Sequence, residues 1–95
     1  MPAQPPNYRP RPIAMMTPLH DGTGVVLHLN TKIYFTLNAT GVAAWEAIAA
    51  GDVPTAQRVA ERLVESFDVE LPTALADATA IIEELFAAGL LETAT

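Results

Sequence analysis

Few side chains in this sequence could do chemistry. Acyl or peptide transfer needs an activated nucleophile beside a base, yet the chain has no cysteine and one serine, Ser66, near the end of an amphipathic helical pattern. His20 and His28 are the only imidazoles. Neither has a carboxylate at the helical spacing of a metal site, so both read as surface histidines and no cofactor is expected. No glycine-rich phosphate loop occurs. Asn38-Ala39-Thr40 fits a glycosylation sequon, but without an apolar secretory segment ahead of it Asn38 reads as a helix N-cap. The sequence is that of a non-enzyme, and its remaining chemistry is recognition.

The stretch that could recognise something is Lys32-Ile33-Tyr34-Phe35-Thr36-Leu37-Asn38. Branched and aromatic side chains favour a pleated strand, and Asn38 can cap the helix that follows. It holds no proline or glycine and one charge, Lys32, so it lacks the devices that keep a sheet edge from pairing. Two strands precede it, Ile13–Leu19 and Val25–Leu29, separated by the turn His20-Asp21-Gly22-Thr23-Gly24. A meander of the three leaves the first strand at an edge blocked by Pro18 and the third at an edge that is open.

The second half is helical. Asn38 starts a helix to about Ala50 with Val42, Trp45 and Ile48 on its buried stripe, and Gly51 stops it. Thr55 caps a second, whose Ala56, Val59, Ala60, Leu63, Val64 and Phe67 follow the i, i+3, i+4 rule. Pro72 opens a third, ended by Gly89, after which Leu90-Leu91 folds back on the core. The apolar positions of the third helix, from Leu71 to Phe86, span roughly 140°, more than one buried face needs. Part of that face is expected to be left for a partner, with Asp77 and Glu84 at its border. Together these elements predict an α+β, winged-helix-like fold: a three-stranded antiparallel sheet followed by three helices.

Length and composition narrow the function further. Ninety-five residues make one domain. Residues 1–12, with five of the eight prolines, read as a disordered arm, leaving 13–95 as a single folded domain. No apolar run is long enough to span a membrane, so the expected location is the cytosol. The net charge is −6, and from Ile13 onward three cations face eleven carboxylates. Such a surface repels a phosphate backbone, which argues against nucleic acid as partner. Three classes stay open from the residues: a module that receives an extended peptide as an added strand, a winged-helix DNA binder disfavoured by charge, and a domain that dimerises through the same edge.

The run from Val26 to Asn38, then Trp45, Gly51, Phe67-Asp68-Val69 and the closing Ala88-Gly89-Leu90-Leu91 resembles the PqqD-like family, which includes the recognition elements for precursor peptides that are ribosomally made and then modified. Within it the chain is most similar to the stand-alone leader-binding proteins of lasso-peptide pathways, the separated first half of a split B protein. The resemblance covers residues 13–92. It implies a non-catalytic domain that binds the leader of a precursor peptide antiparallel to the third strand, in a groove walled by the third helix. Carried onto this chain, the strand is Ile33, Tyr34, Phe35, Thr36 and Leu37. The wall is Leu75, Ala78, Ile82 and Leu85, with Asp77 and Glu84 as charge contacts, and Tyr34, Leu37 and Trp45 are expected as core anchors. A relative would pass the leader to a cysteine-protease-type peptidase and an ATP-dependent cyclase. The alternative is a PqqD-like chaperone for another peptide-modifying enzyme, such as a radical-SAM protein. Many relatives have Asp where His28 stands and Gly where Lys32 stands, so a turn contact and the hairpin's bend are expected to differ here.

Overall fold

Caps and turn residues place the elements. A computed structural model describes residues 8–51 and 55–93. In it β1 (Tyr8–Pro10), β2 (Ala14–Pro18), β3 (Gly24–His28) and β4 (Tyr34–Leu37) precede α1 (Ala39–Ala49), α2 (Ala56–Ser66) and α3 (Leu71–Ala87), followed by β5 (Leu91–Thr93). Strands β2, β3 and β4 pair antiparallel in that order. The fold is therefore the α+β arrangement expected, a three-stranded meander followed by three helices.

Both predicted N-caps are made. Asn38 Oδ1 accepts the Gly41 N–H at 2.8 Å, and Thr55 Oγ1 accepts the Arg58 N–H at 3.2 Å. The end of α3 is a Schellman motif: Gly89 has φ 77°, its N–H donates to the Phe86 carbonyl, and the Leu90 N–H donates to that of Leu85 at 2.9 Å. That closure turns the chain so that Leu90 and Leu91 are buried. The inner face of the sheet contributes Val26 and Leu37 to one core with Trp45, Ile48, Leu63 and Leu85. β3 meets α1 closely at Gly24, where a Cβ would lie 2.9 Å from Val42 Cγ2.

Two expectations change. Val64 is exposed rather than buried, because α2 meets the core along the narrower row Val59, Ala60 and Leu63. The arm does not extend to residue 12 as disordered chain: Tyr8–Pro10 pairs antiparallel with Leu91–Thr93, so the folded body includes these residues, and residues 1–7 lie outside the described part. Tyr8 meets Phe86 edge-on with ring centroids 6.1 Å apart. Arg9 Nε donates to Glu92 Oε2 at 2.6 Å, and the Arg11 N–H donates to the Leu90 carbonyl at 3.0 Å. Pro10 is tolerated because a two-stranded ribbon asks for few of its backbone groups.

The β2–β3 turn is held by Asp21, whose carboxylate accepts from the Thr23 hydroxyl and the Thr23 N–H; these bonds hold it below its usual range. Its small contribution to the turn is present above the carboxyl's unfolded pKa and fades as pH falls through the depressed folded value. The β3–β4 hairpin is closed differently. His28 N–H donates to the Ile33 carbonyl and Lys32 N–H to that of His28, both at 2.8 Å. His28 Nδ1 accepts the Thr31 N–H at 3.3 Å, so an imidazole acceptor makes the contact that an Asp would make in this turn. Lys32 has φ 63°. The hairpin thus keeps the left-handed bend that glycine favours, at a cost to a side chain of roughly 1–2 kcal/mol.

Lys32→Gly should therefore stabilise the fold by about 0.5 kcal/mol, after allowing roughly 0.5–1 kcal/mol for glycine's extra unfolded-state freedom. Urea unfolding measures this, and a loss of stability would show that the bend carries no strain.

Candidate functional site

A strand at the edge of a sheet presents backbone groups with nothing to pair to. Here both edges of the three-stranded sheet are strands, β2 and β4, but only β2 carries a proline, Pro18. Beside β4 lies a groove of about 460 Å³ lined by Phe35, Thr36 and Leu37 on one side, Asp77, Ile81 and Glu84 on the other, and Asn38 and Thr40 at one end. A second hollow of about 260 Å³ continues along the same strand between Ile33, Phe35, Ala88 and Leu90, with His28 and Thr31 at its mouth. Phe35 lines both. Edge and groove together form one trough along β4.

The side-chain alternation of β4 decides what looks into it. Ile33, Phe35 and Leu37 share one parity and Tyr34 and Thr36 the other. Phe35 packs partly against the core and Leu37 is buried within it, so their face is the inner one. Tyr34 is 64% exposed and stands on the outer face. It is not a core anchor; Leu37 and Trp45 are. Tyr34 and Leu37, three residues apart on a strand, cannot share a face.

On α3 the wall is rotated from the expected one. Ala78 is 0% and Ile82 3% exposed, both on the buried row Ala74, Ala78, Ile82 and Leu85. Neither lines the trough, and a charge placed at Ala78 would be buried in the core. Ile82 borders a different hollow, of about 300 Å³, with Tyr8 and Phe86. Leu75 is half-buried against the core and lies outside the trough lining. Leu85 alone of the expected wall reaches the trough, from beneath. The wall is instead Asp77, Ile81, Glu84 and Ala88, with Ala80 at its margin. At 100° per residue these lie roughly a quarter-turn from the buried row.

Asp77 and Glu84 are thus in the trough, as the helix border position implied, and no Lys or Arg lines either hollow. Sequence reasoning passed over Asn38, Thr40, Ala80, Ile81, Ala88 and Leu90. Ile81 and Ala88 had a signal: they complete, with Asp77 and Glu84, an i, i+4, i+7, i+11 stripe. Among the described residues no grouping of His, Asp or Glu could hold a metal ion, and no helix is long and apolar enough to cross a membrane. The arrangement offers shape, backbone pairing and a partly acidic wall.

No curated protein matches the chain significantly. Among solved structures, TbiB1 in complex with the TbiA(beta) leader peptide is similar at a TM-score of 0.77 and 25% identity, covering 88% of this chain and 94% of that one. A lasso peptide synthetase B1 complexed with the leader peptide is similar at a TM-score of 0.76 and 24% identity, covering 90% of this chain and 98% of that one. Residues 23–91, from the end of the first turn through β5's first residue, match the family described as Coenzyme PQQ synthesis protein D (PqqD). That span includes both walls of the trough, and the chain belongs to the PqqD family.

Proposed function

We propose that this protein recognises the leader segment of a ribosomally made precursor peptide, taken up as an added antiparallel strand on β4 with α3 as the facing wall. The observation that carries this reading is the coincidence of an unblocked sheet edge with a trough running its length. Strand addition draws affinity from main-chain hydrogen bonds and selectivity from side-chain hollows, and this chain offers an edge strand for the first and two hollows for the second. Two similar structures, each holding a leader peptide, support it.

Ile33, Phe35 and Leu37 offer the floor, Ile81 and Ala88 the apolar wall, and Asp77 and Glu84 a place for a cationic group of the leader. Tyr34 and Thr36 contribute from the outer face of the strand. A short docked strand with a few apolar anchors is consistent with a Kd on the order of µM, about −8 kcal/mol. The protein performs no chemistry. It acts in the cytosol, where the precursor is made, by raising the leader's local concentration beside a cysteine-protease-type peptidase and an ATP-dependent cyclase, turning an encounter between molecules into one within a complex. The acidic surface favours a cationic peptide over a nucleic acid.

Ala80→Glu tests the wall, because Ala80 is an exposed helical position at the margin of the groove. It is expected to weaken binding of the leader encoded beside this chain's gene by about tenfold, roughly 1.4 kcal/mol, with an unchanged unfolding midpoint. Unchanged affinity in a folded variant would remove α3 from the site. For the carboxylates, Asp77→Asn combined with Glu84→Gln is expected to flatten the salt dependence of leader binding measured by calorimetry. A slope equal to that of the parent would take both residues out of the contact.

A further inference from the structure

We infer that the β4 edge accepts its partner in one fixed phase: the partner strand's backbone pairs with Tyr34 and Thr36 only, and the side chains entering the trough are those of the alternate residues, opposite Ile33, Phe35 and Leu37. The inference rests on the leader-binding reading and specifies what the bound segment must supply.

The phase follows from one hydrogen bond and the register. In an antiparallel pair, opposed residues alternate between those that exchange hydrogen bonds and those that do not. His28 N–H donates to the Ile33 carbonyl at 2.8 Å, so the opposed residues 28 and 33 are of the bonded kind. The register then continues through Leu27 with Tyr34, Val26 with Phe35, Val25 with Thr36 and Gly24 with Leu37. Phe35 and Leu37 therefore direct their N–H and C=O groups toward β3. Those of Tyr34 and Thr36 point away from the sheet, along the open edge. Four backbone groups, two donors and two acceptors, are what the edge can offer.

The same parity sorts the side chains. Opposed residues in an antiparallel pair project to the same face. Partner residues opposite Tyr34 and Thr36 thus make the hydrogen bonds and carry their side chains to the outer face, where Tyr34 is 64% exposed. Residues opposite Ile33, Phe35 and Leu37 make no hydrogen bond to β4 but enter the trough. Because the partner runs antiparallel, the residue opposite Leu37 comes first, near Asn38, Thr40 and Asp77. The residue opposite Ile33 comes four positions later, between Ala88 and Leu90. The segment this edge selects ends in an apolar side chain at that later position and tolerates a polar one at the earlier.

A backbone amide-to-ester scan tests the phase, since each ester removes one N–H and leaves the side chain in place. The probe is the synthetic leader segment encoded beside this chain's gene, scanned once with esters and once with alanine against the full-length protein. Two ester positions separated by a single residue are expected to weaken binding about tenfold each. The alanine-sensitive positions should fall on the intervening residue and others of its parity. Adjacent ester-sensitive positions, none at all, or ester and alanine sensitivity on the same parity would overturn the inference while leaving leader recognition intact. Absence of binding by the unmodified leader would overturn both.

Discussion

The rotation of α3 about its own axis is the constraint on which the site depends. Its buried row is Ala74, Ala78, Ile82 and Leu85, and the two alanines, with no exposed surface, let the helix settle close against its neighbours. With that row fixed inward, Asp77, Ile81, Glu84 and Ala88 have no choice but to face β4. A helix turned by one residue would present Ala78 and Ile82 to the trough instead and move both carboxylates away. The Schellman closure at Gly89 then brings Leu90 round to finish the wall, and β5 continues to its pairing with β1.

This explains what the sequence disclosed about the fold and why the trough lining differs from the expected wall. Helix boundaries were legible because caps are local: Asn38, Thr55 and Gly89 each act within a few residues of themselves. The meander was legible because its turns are short and its strands branched and aromatic. The face of α3 was not, because apolar residues span two adjacent rows, and the buried one is the row that carries two alanines beside Ile82 and Leu85. Ile81 and Phe86 outrank Ala74 and Ala78 in hydrophobicity, yet Phe86 is 47% exposed and Ala78 fully covered. At those two positions close approach of the helices favours a small side chain over a more hydrophobic one. The β1–β5 ribbon was hidden for another reason: Arg9 and Glu92 meet across nearly the whole chain, and three-residue strands leave no periodic trace.

The position of Tyr34 was legible in principle. Strand parity alone excludes it from the core once Leu37 is assigned there, whatever family pattern surrounds it. His28 and Lys32 show the opposite relation between sequence and structure. Both depart from the pattern of the family they resemble, and the hairpin nevertheless keeps its turn contact and left-handed bend. What this loop requires is an acceptor at one position and a tolerated φ at the other, and residue identity follows more loosely. The winged-helix-like outline likewise does not bring a nucleic-acid role with it. The exposed wall of α3 carries Asp77 and Glu84 and no cation among the trough lining, the reverse of what a phosphate backbone needs.

Strand addition at β4 is the central claim, and amide hydrogen exchange at Tyr34 and Thr36 addresses it most directly. Those two amides should exchange quickly in the free protein and slow markedly when the leader is saturating, while the amides of Phe35 and Leu37, directed toward β3, change little. Saturating leader that leaves Tyr34 and Thr36 exchanging as in the free protein would contradict the account and place recognition on another surface.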